Sequence, residues 1–190
     1  MRIVGGKYRG RKLETGPDQL IRPTSDRTRE ALFSILAHNG DLAPADDDRP
    51  GWPRDARVLD ACAGTGALGL EAWSRGAAQV AFIEKAPAHC RLIDRNAKGM
   101  GIDRPAIFQR DATQPGKAPH AFDLIFTDPP YAEGLVPAIL AALAAQGWLA
   151  PGALAVAEIP ARSDLVAPTG FTVLDQRVYG AAKLVFLRHA

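Results

Sequence analysis

The chain has few cysteines, no long apolar run and almost no net charge. Its two cysteines, Cys62 and Cys90, form no CxxC pair, which excludes a disulfide-stapled scaffold and a zinc-ligand pattern. No stretch approaches the roughly 20 consecutive apolar residues of a membrane span. Met1 to Gly6 carries no apolar leader, so a cytoplasmic protein with neither a membrane nor a metal partner is expected. A length of 190 residues fits one ordinary domain, and 47% hydrophobic against 23% charged residues is globular composition.

The small formal charge of +2 hides an asymmetry. Residues 1–30 hold eight basic residues (Arg2, Lys7, Arg9, Arg11, Lys12, Arg22, Arg27, Arg29) against four acidic ones (Glu14, Asp18, Asp26, Glu30). The remainder is slightly acidic. A basic arm on an acidic body suggests a polyanionic partner for the arm.

Residues 2–13 read as a short hairpin or extended arm, with turn points at Gly5-Gly6 and Gly10. Thr24, Ser25 and Asp26 are N-cap types ahead of the helical spacing of Ala31, Leu32, Ile35 and Leu36, which predicts a helix over 25–38. Residues 40–55 are rich in Pro, Gly and Asp and read as a loop, the segment most prone to disorder. A regular alternation follows. Strands are predicted at 57–60, 79–84, 106–108, 122–127 and 154–159, with helices at 68–73, 87–99 and 135–145, and a closing hairpin at 171–178 and 183–187 through Tyr179-Gly180. Such alternation implies a parallel sheet covered by helices, with the last two strands adding an antiparallel edge.

Between the first strand and its helix lies Asp60-Ala-Cys62-Ala63-Gly64-Thr65-Gly66-Ala-Leu-Gly69, a literal GxGxxG, and Glu84 ends the next strand. The motif alone fits a nicotinamide, a flavin or an S-adenosylmethionine site. Charge separates them. Asp60, Glu84, Asp111 and Asp128 all fall at or just past strand ends, on the edge where open α/β sheets bind ligands. A carboxylate as close to the turn as Asp60 repels a pyrophosphate and attracts the ammonium and sulfonium of S-adenosylmethionine.

Asp128-Pro129-Pro130-Tyr131 directly follows an apolar strand. Two prolines fix two φ angles and remove two N–H donors, so the backbone there offers only carbonyls. The Asp128 carboxylate and the Pro129 carbonyl form an acceptor pair that complements the two N–H groups of an exocyclic amine on a nucleobase. Tyr131 offers a ring on which that base can stack, worth roughly 1–3 kcal/mol. Neither cysteine adjoins this segment in sequence, which disfavours a cysteine adduct with the base. Both read as small core residues.

These segments resemble the Rossmann-like amino-methyltransferases. More narrowly, the chain resembles the RsmD family, which methylates the N2 amine of a guanine in 16S, small-subunit, ribosomal RNA. The likeness is carried by Arg2 to Leu13, Arg22 to Phe33, Asp60 to Glu71, Asp128 to Tyr131, and Arg177-Val178-Tyr179-Gly180 with Leu184. Cys62 stands where an aromatic residue is frequent in the family.

The resemblance implies a class I fold: a mostly parallel seven-stranded sheet with an antiparallel terminal strand, helices on both faces, and a small basic N-terminal arm. Residues 1–24 would be the RNA-binding arm and 25–190 the methyltransferase domain. Asp60 and the Gly64–Gly66 backbone would meet the methionine part of the cofactor, Glu84 the ribose diol and Asp111 the adenine amine. Ala63, Thr65, Lys85, Ala112 and Asp128 would complete the cofactor contacts. Asp128, Pro129, Pro130 and Tyr131 would hold the target guanine. Lys7, Arg9, Arg11, Lys12, Arg22, Arg27 and Arg29 would hold the RNA backbone of the small subunit, with the enzyme acting as a monomer.

Asp-Pro-Pro-Tyr also suits adenine-N6 methyltransferases acting on DNA. The residues ahead of the first helix are too few for a dedicated major-groove reader. A nicotinamide oxidoreductase and a non-catalytic RNA-assembly factor are the other readings. Asp60 opposes the first, and the intact Asp128 and Tyr131 oppose the second.

Replacing Arg9, Arg11 and Lys12 together with alanine is expected to raise the Michaelis constant for RNA and to flatten its dependence on salt. Steady-state assays over a salt series measure both, and no change in either would make the arm a bystander.

Overall fold

A computed structural model of the chain describes residues 1–16, 25–43, 51–130 and 135–190. Seven strands form one sheet: β1 (Arg57–Ala61), β2 (Gln79–Glu84), β3 (Ala106–Gln109), β4 (Phe122–Thr127), β5 (Leu149–Pro160), β6 (Phe171–Tyr179) and β7 (Ala182–His189). Their order across the sheet is β3-β2-β1-β4-β5-β7-β6. The first five pair in parallel, while β7 runs antiparallel to both β5 and β6. The helices are α1 (Asp26–His38), α2 (Ala67–Ser74), α3 (Pro87–Lys98) and α4 (Leu135–Ala145).

Residue parity along the strands builds two cores. Val58, Leu124, Phe126, Leu154, Val156, Leu184 and Phe186 face one way and pack with Leu32, Phe33 and Leu36 of α1, Leu68 and Leu70 of α2, and Ile93 of α3. Leu59, Ile125, Ala155, Val185 and Leu187 face the other way, against Ile139, Leu140 and Leu143 of α4 and Trp148. Both faces of the central strands are therefore dry, so the strands read as continuous apolar runs rather than alternating ones. On one face the Phe33 and Phe126 rings meet at 5.5 Å, and on the other Trp148 stacks on Phe122 at 5.8 Å.

Local chemistry sets the element ends. Ser25 caps α1, its hydroxyl accepting from the Thr28 amide at 3.0 Å. Pro87 opens α3, where the missing N–H costs nothing. Two expectations need correction. β5 begins at Leu149, ahead of the expected start, because Leu149 pairs with Phe122 and the register is then interrupted until Leu154 meets Leu124. Pro151-Gly152 inside that interruption masks the strand's start in the sequence. The 40–55 segment is also more than a loop: Leu42 ends a short 3-10 turn, and both Leu42 and Trp52 are buried in the core. Residues 44–50 lie outside the described residues.

The N-terminal arm is stapled to the body. Arg2 bridges Lys12 across it, and Ile3 and Leu13 are buried in the same core as α1 and α2. At its tip, the Tyr8 amide donates to Ser74 Oγ at 2.9 Å, and that hydroxyl donates to the Gly5 carbonyl at 2.6 Å. Gly6 adopts φ +75°, and a Cβ there would collide with the Ser74 carbonyl. Beneath the arm lies a buried ion cluster. Glu71 accepts from the Val4 amide at 2.8 Å and from Arg75 Nε at 2.7 Å, while Arg29 Nε stands 4.0 Å from it and Arg29 Nη2 donates to Asp26 at 2.9 Å. Arg29 and Glu71 are both fully buried.

Removing one member of such a cluster strands its partner's charge. Glu71→Ala is expected to lower stability by about 3–5 kcal/mol in urea unfolding, and adding Arg29→Ala to it should cost less than the two single losses together.

Candidate active site at the carboxyl edge of the sheet

The site grows from the ends of β1, β2 and β4. After Ala61 the chain turns through Cys62, a non-glycine residue at φ +64° whose amide donates to the Ile83 carbonyl at 2.9 Å. Gly64 at φ +55° and Gly66 at φ +78° complete the turn, and Gly66 leads into α2. The third glycine has a packing role: a Cβ on Gly69 would clash with the Phe82 ring and crowd the Asp60 side chain. That close approach lets the Gly69 amide donate to Asp60 Oδ2 at 2.8 Å, satisfying one of the orphan N–H groups of the first turn of α2.

Glu84 ties the turn to the next helix. Its Oε2 accepts from the Gly64 amide at 2.9 Å and its Oε1 from the Ala86 amide at 2.8 Å, with His89 Nδ1 at 3.6 Å. Each oxygen keeps a second lone pair, so the carboxylate can still accept from a ligand hydroxyl. Asp111 lies exposed beyond β3, accepting from the amide and hydroxyl of Thr113 at 2.9 and 2.7 Å, with Lys85 Nζ at 3.5 Å. The Thr113 donors, with Lys85 contributing, hold its carboxyl below the usual range. β4 delivers Asp128, half-buried, then Pro129, buried, and Pro130, exposed.

Cys62 reports how these acids converge. Burial pushes its thiol up to about 12, and the negative charges of Glu84, Asp60, Asp111 and Asp128 all add to the effect. A thiol held neutral this firmly is no nucleophile. Asp60 is affected in the same sense: burial pushes its carboxyl up to about 7 against the stabilising Gly69 amide, and the Glu84 charge adds to the rise. Among the described residues no cation pairs with Asp60, and the edge is suited to receive one.

A family model described as Conserved hypothetical protein 95 matches residues 1–188. Ribosomal RNA small subunit methyltransferase D of Escherichia coli K12 is 35% identical, the alignment covering 95% of this chain and 85% of that protein. The chain belongs to the RsmD family. The Haemophilus influenzae protein of the same name is 30% identical over 95% of this chain and 89% of its own length. Among solved structures, Escherichia coli yhhF superposes with a TM-score of 0.82 at 31% identity, covering 100% of this chain and 97% of that one. The fold is thus the Rossmann-like class I methyltransferase fold.

Against that frame of RsmD relatives, the expected cofactor residues Asp60, Ala63, Gly64, Thr65, Gly66, Glu84, Lys85, Asp111, Ala112 and Asp128 lie at or just beyond the carboxyl ends of β1–β4. Of the expected RNA contacts, Lys7, Arg9, Arg11, Lys12 and Arg27 are exposed. Arg29 is not available to RNA, because its guanidinium is consumed by Asp26, Glu71 and the Arg2 carbonyl inside the fold. Tyr131 and Arg22 lie outside the described residues. Cys62 is half-buried at the edge, packed against the core that holds Leu59 and Ile125, and Cys90 sits half-buried with its Sγ 3.3 Å from the Glu84 carbonyl.

Two residues at this edge escaped the sequence reading. Glu158, buried on β5 one step past the Thr127–Ala157 pair, extends the acid row beyond Asp128, and its strand-end position was the available signal. The Thr127 hydroxyl, directly before Asp128, is buried with no hydrogen-bond partner among the described residues, and no sequence pattern marks it. Among the described residues no group of three or more His, Cys, Asp or Glu side chains is arranged to hold a metal, and no helix is long and apolar enough to cross a membrane.

The raised Asp60 carboxyl has a consequence for stability. A carboxyl whose folded value lies above its unfolded value of 3.8 binds more protons when folded, so stability is lost as pH rises from about 4 through about 7. Asp60→Asn keeps an acceptor for the Gly69 amide without the charge. Urea unfolding at pH 5 and pH 8 is expected to show the variant gaining on the wild type at the higher pH, and a parallel pH dependence of the two would remove Asp60 as the source.

Proposed function

We propose that the protein transfers a methyl group from S-adenosylmethionine to the exocyclic N2 amine of a guanine in 16S ribosomal RNA, acting on a wholly or partly assembled small subunit in the cytoplasm. The observation that carries this reading is the placement of Asp128-Pro129-Pro130 at the end of β4, one strand away from Asp60 and the glycine turn through the β1–β4 register. The names of the two methyltransferase D relatives support the substrate class.

The residues present fit the cofactor. Asp60 and Glu84, both buried, offer carboxylates to a cationic methionine moiety and a ribose diol, and Asp111 stands farther along the edge for an adenine amine. When bound, S-adenosylmethionine supplies an electrophilic methyl group on a positively charged sulfur. The Asp128 carboxylate and the Pro129 carbonyl accept the two N–H groups of the guanine amine. An aryl amine is a poor nucleophile because its lone pair is delocalised into the ring, and two acceptors on its hydrogens favour a pyramidal nitrogen whose lone pair is free. Fixing that nitrogen in line supplies the proximity contribution. As positive charge develops on nitrogen, Asp128 is a counter-charge already in place, and the proton leaves to Asp128 or to water. Tyr131 stacks the base, which must be out of its helix to reach this edge. Residues 1–24 serve as the RNA arm and 25–190 as the catalytic domain.

Asp128→Ala is expected to lower methyl transfer by about 100-fold or more while cofactor affinity, read by calorimetry, changes little. Wild-type turnover in that variant would sink the role given to Asp128. Mapping methylated nucleotides in ribosomal RNA from cells lacking the protein tests the substrate, with loss of one N2-methylguanine expected; loss of an N6-methyladenine instead would overturn the guanine assignment.

A further inference from the structure

We infer that Asn96 is a positioning residue that locks the glycine turn to the base of the N-terminal arm, so that the cofactor site and the RNA-binding arm share one buried side chain. The functional meaning of the two ends rests on the proposed function; the physical link between them does not.

Asn96 lies late in α3 and is 6% exposed. Its Oδ1 accepts from the Glu14 amide at 2.8 Å, while its Nδ2 donates to the Glu14 carbonyl at 3.1 Å and to the Thr65 carbonyl at 3.2 Å. The orientation of the side chain is fixed, because only the oxygen can take the Glu14 N–H and only the nitrogen can serve two carbonyls. Both amide hydrogens are used. No rotation of the side chain can keep one partner and release the other without stranding a buried polar group.

The other bonds that hold the turn are made by its amides. The Ala63 amide is tied to the Ile83 carbonyl at 3.1 Å, the Gly64 amide to Glu84 at 2.9 Å, and the Gly66 amide back to Ala63 at 2.7 Å. Thr65, 4% exposed between two glycines of positive φ, gives its carbonyl to Asn96. Met1 approaches the same residue, its Sδ 4.0 Å from the Thr65 hydroxyl. Both ends of the arm therefore converge on Thr65: Met1 directly and Glu14 through Asn96. The arm's tip, by contrast, is clamped by Ser74 at the end of α2. Asn96 thus joins the base of the arm to the turn through one side chain, whereas Ser74 holds the tip at the last residue of α2, and coupling between two ligands through such an element is reciprocal.

Ser74→Ala is thus the matched control, loosening the arm while leaving Thr65 untouched. Hydrogen exchange of the ligand-free proteins is expected to show the Gly64 and Gly66 amides exchanging at least about ten-fold faster in Asn96→Leu than in wild type, with Ser74→Ala unchanged there and faster only at the Tyr8 amide. Calorimetry should show S-adenosylmethionine binding weakened roughly five- to ten-fold in Asn96→Leu and within two-fold of wild type in Ser74→Ala. Asn96→Asp, which keeps the acceptor for Glu14 and loses both donors, serves if the leucine variant does not fold and should behave alike. Turn amides and cofactor affinity unchanged in the Asn96 variants, or changed equally in Ser74→Ala, would overturn the inference. Failure of the wild type to bind S-adenosylmethionine would refute the proposed function instead, and the exchange rates would still decide the role of Asn96.

Discussion

The hydrogen bond from the Gly69 amide to the buried Asp60 carboxylate is the contact around which the molecule is organised. It joins the end of β1 to the first turn of α2. It requires a residue without a Cβ at position 69, because Phe82 and Asp60 itself already fill that space. It also keeps a carboxylate in a buried site where the charged form is disfavoured. Such a residue makes physical sense when a cation completes it.

The remaining charges are arranged around that centre in two separate systems. At the carboxyl edge, Glu84, Asp111 and Asp128 all raise the Cys62 thiol together with Asp60, so the negative potential there is collective. On the far side of α2, Glu71 gathers Arg29, Arg75 and the Val4 amide into a buried cluster that mounts the arm. The first system suits a sulfonium-bearing ligand, and the second holds in place the exposed Lys7, Arg9, Arg11 and Lys12 that suit a phosphate backbone. Arg29 belongs to the second system as a structural cation, although its neighbours in the sequence belong to the basic surface.

Much of this is legible in the residues themselves. Strand and helix positions follow from apolar runs separated by turn residues, and the acids at strand ends stand out because each follows an apolar stretch. What escaped has a common cause. Trp52 lies in a Pro- and Asp-rich segment whose composition says loop, yet its ring is buried by the tertiary fold. The early start of β5 is concealed by Pro151-Gly152 and exists because Phe122 offers a partner to Leu149. Arg29 and Arg27 are alike in sequence, but one helical face looks inward toward Glu71 and the other outward. Asn96 has no motif, since its two partner residues lie 31 and 82 positions away along the chain.

The sequence by itself determined the alternating α/β order, the glycine turn, the rigid Asp-Pro-Pro segment and the separation of a basic arm from an acidic edge. Each of these depends on properties of neighbouring residues: periodicity, fixed φ angles and local charge. Only the tertiary structure decided which cations are consumed inside the fold, that Cys62 sits among four carboxylates, and that Asn96 connects the arm to the turn. Burial and long-range hydrogen bonds are set by which distant segments the sheet brings together, and no local pattern along the chain encodes that distance.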